Sequence, residues 1–126
     1  METKMKIAVI DDEIQIIEDI KSLFEKEGYE VVYAQNVPDA LSLIDRDPVD
    51  LIILDVMMQE SDDGIYLANK FRQKGISTPI IMLACISKIT GFNFTESDTL
   101  PIDEYLIKPV APEYLLAKAK RFLNKN

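Results

Sequence analysis

The stretch LIILD, residues 51–55, consists of four apolar residues followed directly by an aspartate. An unbroken apolar run of this length is typical of a central strand of a parallel sheet, which is covered on both faces. Residues 6–10 and 79–83 are similar apolar runs, 29–34 alternates and is rich in Val and Tyr, and 104–107 is a short fifth segment. We therefore predict five strands, with LIILD at the centre.

Segments with helical spacing separate these runs. We predict helices over 14–26, from Asn36 as the N-cap to Pro48, over 64–74 and over 112–124. The apolar residues expected to face the core are Ile16, Ile20, Leu23, Phe24, Ala40, Leu41, Ile44, Ile65, Ala68, Phe71, Leu115, Leu116, Ala119, Phe122 and Leu123. Strands that alternate with helices indicate βαβ units, so the predicted fold is α/β, a doubly wound (βα)5 sheet of five parallel strands.

The fourth helix is the weak point of this pattern. Residues 86–103 should contain it, but they read ISKITGFNFTESDTLPID, with β-branched residues, Gly91, Asn93 and Pro101. These residues are poor helix formers. We expect an irregular or shortened fourth helix followed by a long loop.

Composition restricts the function. The chain has 126 residues, one domain's worth, and a net charge of −8, which disfavours nucleic acid and anionic membrane as direct partners. It has no histidine and a single cysteine, Cys85, so a metal site would have to use oxygen ligands, which select hard cations. No apolar run reaches membrane-spanning length, and we expect a cytoplasmic protein.

Polar side chains follow three of the predicted strands. Asp11 and Asp12 come after the first, Asp55 ends the third, and Lys108 and Pro109 follow the fifth. Ligands of open α/β sheets bind beyond the carboxyl ends of the strands. We therefore expect three carboxylates and one ammonium group to meet in one crevice.

Each of these residues also has an ordinary structural interpretation. Asp12 could cap the first helix, with Gln15 completing a capping box. Asp55 could begin a turn, and Lys108 and Pro109 could form another. The case for a site depends on their coincidence at one edge of one sheet.

Five segments resemble the receiver domain of two-component response regulators: VIDDE (9–13), LIILDVMM (51–58), Gly64, PIIML (79–83) and EYLIKPV (104–110). The resemblance covers nearly the whole chain. It implies the flavodoxin-like strand order 2-1-3-4-5. We expect a single receiver domain over residues 1–126 without an attached output domain; a fragment of a longer regulator would have the same sequence. It also implies a phosphoacceptor that signals by protein–protein contact and is not a turnover enzyme.

The resemblance assigns roles to the strand-end residues. Asp55 would accept the phosphoryl group, and Lys108 would pair with Asp55 and then with the phosphoryl oxygens. Mg²⁺ would be bound by Asp12 and Asp55, by Asp11 largely through water, and by the backbone carbonyl of Met57. Three acids, Mg²⁺ and one lysine sum to zero charge, so such a site can accept a phosphoryl group.

The resemblance also implies partners. The phosphodonor would be a sensor histidine kinase or a histidine phosphotransfer protein, since the chain has no histidine of its own. The downstream protein is not identified, and we expect a monomer or weak homodimer. Ile14 is either an isolated surface residue or a docking contact for the phosphodonor. The Lys108–Pro109 bond is expected to be cis.

Two departures from the family pattern affect these expectations. Ala84 stands where the family has Thr or Ser, although the aromatic partner of that hydroxyl, Tyr105, is present. Switching would then be weakened, or would use Ser87 or the backbone N–H of Cys85. A phosphorylation-independent interaction module is the alternative function that Ala84 favours.

The second departure follows Asp55. Gln59 replaces the usual proline, and Gly64 comes nine residues after Asp55 where the family has eight, so one residue is inserted in an acidic loop. Met57 and Ile86 are expected to flank the acyl phosphate and to hinder attack by water. A flavodoxin or a haloacid-dehalogenase-type phosphatase on this fold is disfavoured, because the first loop is acidic and residue 57 is not an aspartate.

Overall fold

The computed structural model describes residues 4–60, 62–85 and 102–124. Within these ranges five strands alternate with four helices, except that no described helix lies between the last two strands. The elements are β1 (Lys6–Ile10), α1 (Ile14–Glu25), β2 (Glu30–Ala34), α2 (Val37–Arg46), β3 (Leu51–Asp55), α3 (Asp63–Gln73), β4 (Ile80–Cys85), β5 (Glu104–Lys108) and α4 (Pro112–Leu123). The irregular fourth helix predicted at 86–103 lies outside the described residues apart from positions 102 and 103.

The strands form one parallel sheet in the order β2-β1-β3-β4-β5. Every residue of β3 is buried, which is why LIILD is apolar up to its final aspartate. Alternate strand residues point to opposite faces. One face packs against α2 and α3, and the other against α1 and α4. The doubly wound α/β fold and the strand order are as expected.

The helices occupy the predicted segments, but three of their buried stripes are rotated relative to the prediction. α1 buries Ile17 with Ile20 and Phe24, while Ile16 is only partly buried. In α2 and α3, Leu43 and Leu67 are buried where the sequence pattern favoured Leu41 and Ile65. Each of these helices buries apolar residues that are three and four positions apart. Ile16, Leu41 and Ile65 lie at the edge of the buried face and are only partly buried.

Asn36 caps α2 as predicted, whereas the alternative role of Asp12 as the cap of α1 is not observed. The Asn36 side chain accepts a hydrogen bond of 2.9 Å from the Asp39 backbone N–H. The N-cap residue of α1 is Glu13, not Asp12, and it makes no side-chain capping bond. The Gln15 amide donates to Asp19 one turn further on, so the capping box is absent. Asp12 is therefore not used by the helix start.

No helix in the described ranges combines the length and the apolar character that crossing a bilayer requires.

Arg72 and Asp103 form a set of hydrogen bonds at the amino-terminal side of the sheet, which we call the clamp. The Arg72 guanidinium donates to the carbonyls of Ile76 and Thr78, at 2.9 and 2.8 Å, and to the Asp103 carboxylate at 3.0 Å. The same Asp103 oxygen accepts from the backbone N–H of Ile80 at 2.8 Å. One carboxylate thus joins the end of α3 and the starts of β4 and β5.

Asp103→Ala should lower the free energy of unfolding by about 2 kcal/mol, because it leaves the Ile80 N–H and part of the Arg72 guanidinium without a partner. Urea denaturation at neutral pH measures the loss. Asp45→Ala is the matched control: it removes an exposed ion pair with Lys74 and should cost less than about 1 kcal/mol. Equal losses in the two variants would contradict the role of the clamp.

Candidate functional site

Three strands deliver charged side chains to one edge of the sheet. Asp11 directly follows β1, and its N–H donates to the Ala34 carbonyl at 3.1 Å, which continues the β1–β2 ladder by one residue. Asp55 is the last residue of β3, and Lys108 is the last residue of β5. The parallel register places all three at the carboxyl ends of their strands.

The carboxylates of Asp11, Asp12 and Asp55 form a cluster, in which one oxygen from each lies within 4.8 Å of the others. Asp11 and Asp55 are 1% and 4% exposed, and they are the buried charged residues of the described ranges. Asp12 is half-buried. The structure therefore brings together the three acids that the strand-end pattern selected. We call this group the acid cluster.

Lys108 contacts two members of the acid cluster. Its Nζ lies 3.2 Å from Asp11 Oδ2 and 3.5 Å from Asp55 Oδ1. The resemblance implied a pairing with Asp55, and that contact is present, but the shorter contact is with Asp11. The ammonium group bridges the two buried carboxylates.

Backbone N–H groups hold two of the carboxylates. Asp11 Oδ1 accepts from the Glu13 N–H at 2.9 Å, and Asp55 Oδ1 accepts from the Met57 N–H at 3.4 Å. Neither contact was predicted. Both could have been recognised from the spacing, since an aspartate often accepts a hydrogen bond from the backbone two residues further on.

Burial and mutual repulsion perturb the titration of this site. Burial, followed by the charge of Asp11, raises the pKa of Asp55 to about 6. Burial also raises the pKa of Asp11, against the opposing effects of the Glu13 N–H and Lys108. For Lys108, burial would lower the pKa, but the neighbouring carboxylates of Asp11 and Asp55 outweigh it and raise the pKa. Perturbed groups that converge at the end of a sheet are typical of functional sites.

The donor set determines which ion would fit. The acid cluster offers carboxylate oxygens, without imidazole or thiolate, and oxygen ligands favour hard divalent cations. A divalent cation would also relieve the repulsion that raises the pKa of Asp55. The residues present therefore fit a hard-cation site.

The remaining predicted positions lie in β4, in β5, directly after β5, or outside the described residues. Ala84 is fully buried within β4 and pairs in register with Ile107 of β5. Tyr105 is half-buried on β5 and packs against the core on the α2–α3 face. The Lys108–Pro109 peptide bond is cis, the isomer that the resemblance implied. Ile86 and Ser87 lie outside the described residues.

Comparison with known proteins supplies the family. A family model described as "Response regulator receiver domain" matches residues 7–120. The chain belongs to this receiver family. Receiver domains are the phosphorylation-dependent signalling domains of two-component response regulators.

The relatives of this receiver include transcriptional regulators. The chain is 34% identical over 121 residues to the Bacillus subtilis alkaline phosphatase synthesis transcriptional regulatory protein PhoP, covering 96% of this chain and 49% of that protein. It is 34% identical over 124 residues to the Enterococcus faecium regulatory protein VanR, covering 95% and 50%. The receiver thus spans about half the length of these relatives.

Solved receiver domains have the same architecture. The receiver domain of Francisella response regulator 1452 matches with a TM-score of 0.84 and 31% identity, covering 96% of this chain and 98% of that one. A CheY-like receiver domain protein from Methanospirillum hungatei matches with a TM-score of 0.85 and 28% identity, covering 97% and 95%.

The raised pKa of Asp55 predicts how stability depends on pH. Because the folded-state pKa is about 6 and the ordinary value is 3.8, the folded protein binds more protons than the unfolded chain between these values. The free energy of unfolding contributed by Asp55 therefore falls as the pH rises through this window and stays reduced above it. In EDTA, Asp55→Asn should be more stable than the wild type at pH 7.5, by on the order of 2 kcal/mol. At pH 4 most of this advantage should disappear.

Urea denaturation at both pH values measures this difference. Asp19→Asn is the control, because Asp19 lies on α1 away from the acid cluster and its replacement should show no such pH dependence. An advantage of Asp55→Asn that is equal at pH 4 and pH 7.5, or absent at both, would contradict the prediction.

Proposed function

We propose that this receiver is a Mg²⁺-dependent phosphoacceptor that takes a phosphoryl group onto Asp55 and passes the signal on by protein–protein contact. The observation that carries the proposal is the acid cluster with Lys108 bridging it at the ends of β1, β3 and β5. The family provides the phosphorylation-dependent role, and this geometry supports Asp55 as the acceptor.

The proposed metal ligands are those that the resemblance implies, and the contacts of each acid support them. Asp12 makes no contact with Lys108 and would bind Mg²⁺ directly, together with Asp55 and the backbone carbonyl of Met57. Both oxygens of Asp11 already accept hydrogen bonds, from the Glu13 N–H and from Lys108, which supports binding largely through water. Mg²⁺ tolerates this arrangement because it usually retains several waters. When bound, it would offset the negative charge that gathers around the transferred phosphoryl group.

The transfer is a displacement at phosphorus. A carboxylate oxygen of Asp55 forms the new P–O bond, and the bond from phosphorus to the donor breaks, with its electron pair leaving on the donor. Lys108 already lies 3.5 Å from Asp55 and would stabilise the phosphoryl oxygens. The product is an acyl phosphate on Asp55. We propose no turnover of an external substrate beyond this self-phosphorylation and slow hydrolysis.

The proposed phosphodonor is a sensor histidine kinase or a histidine phosphotransfer protein, because the chain has no histidine. Its docking site would include Ile14, which is 45% exposed at the start of α1 beside the acid cluster. Ile14 and Tyr33 line a groove of about 320 Å³ along α1, together with Glu18 and Lys21. A helical phosphodonor with an apolar contact residue and charges of both signs would match this surface.

We propose the cytoplasm as the location, a single receiver domain over residues 1–126, and a monomer or weak homodimer as the state of this domain. Direct binding of nucleic acid is not part of the proposal, because the chain carries a net charge of −8. The downstream protein is not specified by any described surface.

Ala84 modifies the proposal. Its methyl group is fully buried in β4 and cannot donate the hydrogen bond that a Thr or Ser hydroxyl would give to the phosphoryl group. We propose that coupling between Asp55 and Tyr105 is weaker than in receivers with the hydroxyl. Membership of the receiver family, whose domains signal by phosphorylation, does not favour the phosphorylation-independent module that Ala84 left open.

Incubation with acetyl phosphate and Mg²⁺ should add one phosphoryl group to the wild-type chain, as read by intact mass. EDTA should abolish the gain because it removes the ion that neutralises the surroundings of Asp55. Asp55→Asn should abolish it because the acceptor oxygen is lost. Asp50→Asn is the matched control at the other end of β3 and should still be labelled. A folded wild type that stays unlabelled here and with a histidine phosphodonor would favour the phosphorylation-independent module.

Met57→Asn should shorten the lifetime of the acyl phosphate. The half-buried Met57 follows Asp55 by two residues and excludes water from one side, whereas an amide would bind and orient a water molecule. Loss of the phosphoryl mass with time, after removal of acetyl phosphate, measures the rate. Met58→Leu, a conservative change at the next, buried position, should leave the rate unchanged. An equal or longer lifetime in Met57→Asn would remove the shielding role.

A further inference from the structure

The junction of β3 and α3 has a glycine packed directly on the strand backbone. The Gly64 N–H donates to the Val56 carbonyl at 2.9 Å. A Cβ added to Gly64 would lie 2.3 Å from the Asp55 carbonyl oxygen and 2.5 Å from the Val56 Cα. Contacts below 3.0 Å are essentially never made by real Cβ atoms, and because both obstacles are backbone atoms, no side-chain rotation can relieve them.

Position 64 requires glycine because a side chain would collide with backbone atoms of Asp55 and Val56, and not because of its backbone conformation. Among the glycines of the described ranges, only Gly28 and Gly75 have positive φ angles, of 90° and 84°. Those two have no atom within 4 Å of an added Cβ. Gly64 has the opposite combination, an ordinary backbone angle and no space.

The strand atoms that Gly64 contacts belong to the residues that carry the proposed phosphoacceptor. Asp55 supplies the carboxylate, and the Met57 N–H donates to Asp55 Oδ1 at 3.4 Å. The Val56 N–H donates a hydrogen bond to the Leu83 carbonyl of β4 at 2.9 Å. A displacement forced by a side chain at position 64 would therefore fall on the short segment that sets the position of the Asp55 carboxylate.

The loop before Gly64 does not determine this contact. The loop contains the inserted residue, and it folds on itself: the Asp63 carboxylate accepts from the Glu60 N–H at 2.9 Å. The Glu60 carbonyl accepts from the N–H groups of Met58 and Asp63, each at 3.3 Å. Beside these hydrogen bonds, Gly64 lies against the end of β3.

We propose that Gly64 is a positioning residue for Asp55: its missing side chain lets α3 seat on the β3 backbone and hold the carboxylate within reach of Lys108 and the other two acids. The proposal rests on the proposed function of Asp55 as phosphoacceptor. A displacement of about 1 Å in a reacting group can cost up to about 100-fold in rate, so a small shift here has a large effect.

The test compares Gly64→Ala with Gly75→Ala, which lies just beyond the opposite end of the same helix. Gly75→Ala strains a backbone with a φ of 84° without any steric contact, so it should lower stability and leave the acid cluster in place. Gly64→Ala should lower the maximal rate of labelling, at saturating acetyl phosphate and Mg²⁺, by roughly 10-fold or more. It should also move the amide NMR signal of Met57 and raise the Mg²⁺ concentration that half-saturates the site.

Each outcome is decisive. If Gly64→Ala is labelled at the same rate per folded molecule as Gly75→Ala, with an unmoved Met57 signal, the positioning role is wrong. If Gly64→Ala is unfolded, the measurements are repeated in trimethylamine N-oxide, which favours the folded state. A chain that stays unfolded there would show that Gly64 serves the whole fold, which also overturns the specific role.

Failure of the proposed function gives a different result. If the wild type is labelled neither by acetyl phosphate nor by a histidine phosphodonor, the phosphoacceptor proposal fails. The Met57 amide signal and the Mg²⁺ titration then still test whether Gly64 sets the geometry of the acid cluster.

Discussion

Repulsion among the carboxylates of Asp11, Asp12 and Asp55 is the constraint on which the site depends. Two of the three acids are almost completely buried, where water screens their charges poorly. Lys108 is the cation that the described residues bring into contact with them, and one positive charge cannot balance three negative ones. Burial and then the charge of Asp11 raise the pKa of Asp55, and a divalent cation would offset the charge deficit. The fold keeps these charges together because the sheet is stabilised elsewhere.

That stabilisation comes from two apolar layers. The strand residues alternate between the α2–α3 face and the α1–α4 face, and both faces of β3 are sealed. Large side chains such as Phe24 and Phe71 are fully buried, one in each layer. Burial of a side chain of this size contributes roughly 2 to 3 kcal/mol, so the layers outweigh the electrostatic cost at the strand ends.

Much of this architecture could be read from the sequence, since a strand buried on both faces leaves an unmistakable apolar run and its carboxyl end is where ligands bind. The helix faces were harder to predict. Ile16 and Ile17 are both apolar, and only packing against the sheet shows that Ile17 enters the core. The shorter contact of Lys108 with Asp11 joins residues far apart in sequence, and no local pattern tells which of two neighbouring acids is closer. The inserted residue before Gly64 could be recognised from the sequence, but the hydrogen bond between Glu60 and Asp63 could not.

The clamp at Asp103 gives β5 two unlike attachments. At its beginning, Asp103 is fixed to Arg72 and to the Ile80 N–H, far along the strand from the acid cluster. At its end, the Lys108 side chain is held by a hydrogen bond to Asp11 and by the charge of Asp55. A strand of five residues spans roughly 17 Å, so the two attachments respond to separate surroundings. Because β5 pairs with β4 along its whole length, a change in the charge of the acid cluster acts on the carboxyl end of the strand while the Asp103 contacts hold its amino end.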